Sequence, residues 1–136
     1  MSVNLDLAEM ESSRIFYYQF KKLTATLEDW RTWEGRWELI NGVAYDMTPT
    51  PSTIHQELVG GLYYQLRGAL EEAQRGATGP NCRVFVSPVD VFLGENTVQP
   101  DLLVVSDPAK ISERGIDGPP DLVVALLGGR LPVTLG

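Results

Sequence analysis

The sequence predicts a mixed α/β domain of the α+β kind, and three features carry that expectation. An Asn-Gly dipeptide at 41–42 separates two short apolar runs, one long amphipathic helix pattern fills the middle, and three Val- and Leu-rich runs follow it. The 136 residues suffice for a single core. Hydrophobic residues make up 43% and charged residues 21%, the composition of a globular chain and not of a disordered one.

The elements follow in order. Residues 1–22 mix acids with Phe16, Tyr17, Tyr18 and Phe20 without a clear period, and read as an N-terminal extension. The domain proper is expected over 23–127. Thr26 with Asp29 three residues on is a capping-box pattern, which predicts a short helix through Leu27, Trp30 and Trp33. Trp37-Glu38-Leu39-Ile40, Asn41-Gly42 and Val43-Ala44-Tyr45-Asp46-Met47 then predict a hairpin, because Asn-Gly tolerates the positive φ angles of a type I′ turn. Two prolines make 48–52 a rigid loop.

The strongest helix is expected over 53–74, with Thr53 and Gln56 as a second capping box. Ile54, Leu58, Val59, Leu62, Tyr63, Leu66, Leu70 and Ala73 share one face at helical spacing, and Gly76 with Gly79-Pro80 ends the run. Strands are expected at 83–93, 97–106 and 122–127, with a turn at Gly94-Glu95-Asn96. Unbroken apolar runs of this kind suit strands buried on both faces. Residues 128–136 hold no acid, no Lys and no periodic pattern, and read as an atypical C-terminal tail.

Composition narrows the function classes. No apolar run approaches the roughly 20 residues that span a bilayer, and the acidic first ten residues do not read as a secretory signal. Cys82 is alone, which excludes an internal disulfide and fits a reducing cytoplasm. A net charge of -7 with three lysines argues against a module that binds DNA through bulk charge, yet leaves room for an enzyme built on carboxylates and a divalent metal.

Two segments echo each other: Gln99-Pro100-Asp101 and Pro119-Pro120-Asp121 each set Pro-Asp at the mouth of an apolar strand. In the plainer reading, Pro starts the strand and Asp accepts from loop N–H groups. In the chemical reading, Asp101 and an acid on the neighbouring strand share a Mg²⁺ that polarises a phosphate and activates water. A lysine nearby would orient that water.

Five pieces occur in order: Trp37-Glu38-Leu39-Ile40-Asn41-Gly42, the Pro-rich loop with His55-Gln56 opening the long helix, Ser87-Pro88-Val89-Asp90-Val91, Gln99-Pro100-Asp101, and Gly118-Pro119-Pro120-Asp121-Leu122-Val123-Val124. Together, over about 23–124, they resemble the Uma-two-type restriction endonuclease family of the PD-(D/E)XK superfamily. The resemblance implies a restriction-endonuclease-like α-β-β-β-α-β core, preceded here by the hairpin, and a Mg²⁺- or Mn²⁺-dependent DNA endonuclease. It makes Asp101 the first metal-binding acid and brings Glu38 towards the metal.

The same resemblance expects Glu at the end of the Leu-Val-Val run, then Ser-Pro, then a helix bearing Lys. This sequence has Ala125 at the acid position and no Lys beyond Lys110. The chain therefore reads as C-terminally truncated relative to the family, with the closing helix and last strand missing. Weak metal binding and impaired catalysis are the expected result. The alternative is a non-catalytic remnant that binds a partner or forms a homo-oligomer through an open sheet edge.

For the other candidates two readings stand side by side. Glu38 is either near the metal or an exposed hairpin acid beside Arg36. His55 either contacts phosphate and carboxylate or serves capping and packing. Asp90 is an accessory or a structural residue, and Glu57 is expected in solvent. Cys82 lacks an evident activating partner. Trp30, Trp33 and Trp37 are expected to pack the first helix on the hairpin, with a small-molecule site as the weaker reading.

Overall fold

A computed structural model describes residues 25–48, 50–78, 81–126 and 131–133. The N-terminal extension expected over 1–22 lies outside them. The described chain is a mixed α+β arrangement of two sheets and one long helix, consistent with a restriction-endonuclease-like fold.

Thr26 caps the first helix, α1 (Leu27–Trp30), by the reciprocal bonds that its spacing to Asp29 predicts. Trp33 lies beyond its end. Trp30 Nε1 donates to Trp37 O at 2.9 Å and its ring meets Phe92 edge-on, while Trp33 meets Trp37 edge-on at 5.5 Å. The tryptophans thus pack α1 on the hairpin formed by β1 (Trp37–Ile40) and β2 (Val43–Asp46). Asn41 (φ 50°) and Gly42 (φ 81°) make the turn, both with the positive φ that a type I′ hairpin requires.

The run 83–93, expected as one strand, divides at Ser87-Pro88 into β3 (Arg83–Val86) and β4 (Val91–Leu93), which lie in different sheets. The run 97–106 divides at Pro100 into β5 (Asn96–Val98) and β6 (Leu102–Val105), again in different sheets. In both cases proline withholds the N–H that a continuing ladder needs. After a 3₁₀ turn (Pro108–Lys110) come β7 (Ile116–Asp117) and β8 (Leu122–Val124).

One sheet has the order β7-β4-β5-β1-β2-β9, antiparallel except for the parallel β4–β7 pair. Its outer strand β9 (Leu131–Val133) falls in the tail that showed no pattern in the sequence. Pro132 there lies on an edge strand, the position in a sheet where a residue without an N–H is tolerated. The second sheet, β3-β6-β8, is antiparallel.

The two sheets share a core. Val91 and Ile116 from the larger sheet meet Leu103 and Val105 from β6, with Phe85, Val89, Leu93, Val98 and Ile111 around them. All four residues of β6 are buried, as its apolar run predicts. β8 departs from that expectation. It is an edge strand, and Leu122 and Val123 are 45% and 51% exposed.

The long helix α2 (Thr53–Ala73) packs along β3. Its N-cap is Ser52, whose side chain accepts from His55 N, so the cap falls one residue earlier than the Thr53–Gln56 box expected. Only part of the expected apolar face is covered. Val59 is buried and Tyr63, Leu66 and Leu70 are half-buried, whereas Ile54 and Leu58 are exposed. One strand beneath the helix shields a narrower stripe than a full sheet would. No helix among the described residues is long and apolar enough to cross a membrane.

Gly115 marks the tightest backbone approach. Its φ is 148°, and a Cβ there would press into Asp90 O, the carbonyl that accepts from Ile116 N at 2.8 Å. Gly115→Ala is expected to lower unfolding stability by about 3 kcal/mol in urea denaturation, through backbone strain and the broken β4–β7 contact.

Candidate functional site

Asp101 precedes β6 at the point where the chain crosses from one sheet to the other, and it is 9% exposed. Three neighbouring segments hold it. Ser87 N, just past β3, donates to Asp101 O at 3.0 Å. Asp101 N donates to Val124 O at 3.0 Å, and Leu126 N donates to Asp101 Oδ2 at 2.6 Å. From above, His55 Nε2 approaches Asp101 Oδ1 at 3.4 Å, both side chains being largely shielded.

His55 reaches this point because Ser52 starts α2 beside the mouth of β6. Its Nδ1 lies 3.1 Å from Gln56 Oε1. In the neutral ring, a proton on Nδ1 satisfies Gln56 and leaves the Nε2 lone pair facing the carboxylate; a proton on Nε2 pairs with Asp101 instead. The two sequence candidates His55 and Asp101 are therefore brought together.

Ala125 is brought to the same place. The residues on either side of it, Val124 and Leu126, each bond Asp101 through the backbone. The position at which the resemblance expects a second acid is thus beside the first acid. Its methyl group offers no ligand.

Glu38 is not the exposed hairpin acid of the plainer reading; it is 1% exposed. Glu38 Oε1 accepts from Gln99 N at 2.8 Å, two residues before Asp101. Arg36 Nε donates to Gln99 Oε1 at 3.3 Å, and Arg36 Nη2 donates to Ser87 Oγ at 3.1 Å. Gln99 Nε2 completes the set by donating to Asp90 Oδ1 at 2.8 Å. Asp90 is thereby tied to Gln99, and its main-chain oxygen accepts from Ile116 N.

Gln99 and Arg36 were not singled out by the sequence. Gln99 was visible only as the first letter of Gln-Pro-Asp, and its partner Arg36 stands 63 residues away. No local spacing reveals such a pairing. Glu57 is exposed, as expected. Cys82 is half-buried beside the end of α2, where its N donates to Gln74 Oε1.

Asp121 shares the Pro-Asp motif and not the site. β8 runs antiparallel to β6, so Asp121 stands at the opposite end of the sheet from Asp101. Its carboxylate accepts from Ser106 N at 2.6 Å. That bond, with the Ser106 side chain and the charge of Lys110, holds the Asp121 carboxyl below its ordinary value of 3.8 despite some desolvation.

As a cation site the donor set is thin. Mg²⁺ takes oxygen ligands and is normally held by one or two carboxylates with waters. Among the described residues, the carboxylate placed here is Asp101, already engaged by Leu126 N and His55. Among the described residues no three His, Cys, Asp or Glu side chains gather into a metal-binding group. The residues present do not by themselves make a complete Mg²⁺ site.

A depressed folded-state pKa stabilises the fold above the unfolded value, and that stabilisation disappears as pH falls through the folded value. Asp121→Asn is therefore expected to lower the melting temperature at pH 7, with the gap to the parent closing below about pH 3. Thermal melts at the two pH values check it; an equal gap at both would contradict the assignment.

A family model described as "Uma2: Putative restriction endonuclease" matches residues 20–128. No curated protein matches the chain.

Proposed function

The chain belongs to the Uma2 family, within the PD-(D/E)XK superfamily, and on that footing we propose that it is a nuclease-type domain directed at DNA phosphodiesters. Asp101 is its site carboxylate, His55 the adjoining group and Glu38 a buried acid that fixes the approach to the site. Turnover is low and dependence on Mg²⁺ or Mn²⁺ is weakly met, because the position beside Asp101 is Ala125. The protein acts in the cytoplasm, in keeping with its lone Cys82.

One observation supports this reading above the rest. Asp101 N bonds Val124 O and Asp101 Oδ2 accepts from Leu126 N, so the intervening Ala125 adjoins the one carboxylate at the strand mouth. Antiparallel neighbours about 4.8 Å apart are suited to sharing one ion between two acids. With one acid present, the charge added to a phosphate on attack has less to balance it. Losing one such electrostatic group costs about two to three powers of ten in rate.

The arrangement still gives this chain's own residues defined work. Asp101, with Oδ2 fixed by Leu126 N, presents Oδ1 towards His55. His55 can accept or donate a proton at Nε2 while Gln56 holds Nδ1. Glu38 anchors the Gln99 backbone and so the chain that carries Asp101.

A second reading is favoured by a different observation. Among the described residues β8 is an edge strand on which Leu122 and Val123 are about half exposed, and Ile54 and Leu58 are exposed on α2. An edge of this kind invites pairing with another chain, which fits a homo-oligomer or binding domain without catalysis. Sedimentation velocity distinguishes a discrete dimer from a monomer.

The nuclease reading is tested by plasmid cleavage in Mg²⁺ or Mn²⁺. The parent chain should cleave slowly, Asp101→Ala should abolish that activity, and Ala125→Glu should raise it about a hundredfold. Calorimetric titration should find Mg²⁺ bound at least about tenfold more tightly by Ala125→Glu. Cleavage that survives Asp101→Ala would remove Asp101 from the site.

A further inference from the structure

Outside the site, the clearest unassigned feature is a cleft of about 650 Å³ between the C-terminal half of α2 and β3. Arg67, Arg75 and Arg83 line it, with Glu71 as the acid among its lining residues. The whole chain carries a net charge of -7 and eight arginines, so three in one cleft, against Glu71 in its lining and Glu72 beside Arg75, is a local reversal of sign.

These arginines are available to an anion. Arg67 Nε lies 3.8 Å from Glu71, and Arg75 pairs with Glu72 at 2.7 Å, but every one of these side chains is more than half exposed. Ion pairs of that kind contribute little and exchange readily. Arg83 has no carboxylate partner among the described residues and lies 5.4 Å from the centre of the Phe85 ring. Tyr63 OH accepts from Arg67 Nη1 at 2.8 Å, which orients that guanidinium without neutralising it.

The cleft shares its scaffold with Asp101. His55 lies in the first turn of α2 beside Asp101, and Arg67 follows twelve residues, about 18 Å, along the helix. β3 pairs Val86 with Leu102 near Asp101 and Arg83 with Val105 at the far end, so Arg83 stands about 13 Å away along the strand. At about 3.4 Å of rise per nucleotide, those spans correspond to roughly four or five nucleotides.

We propose that the α2–β3 cleft is a docking groove for the phosphodiester backbone of a nucleic acid, held by Arg67 and Arg83 at about four or five nucleotides from Asp101 and by Arg75 farther along the same groove. This rests on the nuclease reading for its substrate class. Guanidinium groups suit phosphate because their planar donors match its oxygens in pairs. A local groove of this kind also accounts for how an acidic chain can hold an anionic polymer. Its contacts are few and sequence-independent, and they set the register of the strand on the protein.

The test is fluorescence anisotropy of a short labelled DNA duplex with the full chain in EDTA, where metal-dependent cleavage does not intervene. The double variant Arg75→Glu/Arg83→Glu should bind at least about tenfold more weakly, with the slope of log affinity against log salt shallower by about two. Arg75→Lys/Arg83→Lys should stay within about threefold of the parent. The control Arg31→Glu/Arg114→Glu, which reverses two exposed arginines elsewhere, should change affinity by less than about twofold. Equal losses in the cleft and control variants would overturn the groove, as would parent binding that ignores salt or a lysine variant as weak as the glutamate one. Plasmid cleavage is scored separately. Cleavage with unaltered binding in the glutamate variant would remove the groove and leave the Asp101 site, whereas groove-dependent binding with no cleavage would remove the nuclease reading alone.

Discussion

The structure turns on the three residues Gln99, Pro100 and Asp101, where the chain leaves the larger sheet and enters the smaller one. Gln99 is buried with both ends of its amide committed, to Arg36 on one side and Asp90 on the other, while its backbone N–H satisfies Glu38. A buried amide or carboxylate left without partners costs about 1–3 kcal/mol or more, so the partners must arrive together or the crossing is unstable. The hairpin brings Arg36 and Glu38, the loop before β4 brings Asp90, and the end of β3 brings Ser87. Meeting that polar demand fixes where β6 starts. The position of Asp101 follows from it.

Much of the fold was legible because its signals are local. The Thr26–Asp29 cap and the Asn41-Gly42 turn depend on residues within three positions of each other, and both stand as read. The long strands at 83–93 and 97–106 were read wrongly for one shared reason. Apolar content was weighed above Pro88 and Pro100, each of which ends a ladder and lets the next few residues join another sheet. The face of α2 was overdrawn because periodicity reports which residues could be covered; how many are covered depends on what lies opposite. Among the described residues, β3 is the strand packed against it.

For the candidate site, legibility divided in the same way. The resemblance singles out Asp101 and position 125, and the fold sets Ala125 beside Asp101. Glu38 was readable as a candidate, but its burial was not, since Trp37 to Ile40 could face either way until β5 pairs across it. Gln99 carries two hydrogen bonds whose partners lie nine and 63 residues away. Contacts at such separations arise from topology, and no window along one chain contains them.

Asp101 and Asp121 show why a motif needs a topology before it has a chemistry. Each follows Pro and opens an apolar strand, so their local sequences make them nearly equivalent. Because β6 and β8 are antiparallel, the two carboxylates stand at opposite ends of the same sheet. At one end, His55 in the first turn of α2 approaches and the backbone of 124–126 passes beside it, giving Asp101 an imidazole and a backbone N–H as neighbours. At the other end there is a loop N–H from Ser106, and Asp121 spends its lone pairs on holding that turn. Along β8, the residue beside Asp101 comes from the end of the strand, where it is Ala125, and not from its beginning. The antiparallel pairing therefore excludes the Asp101–Asp121 pair that the repeated motif invites. It leaves position 125, between the two residues whose backbone bonds Asp101, as the part of β8 that adjoins this carboxylate.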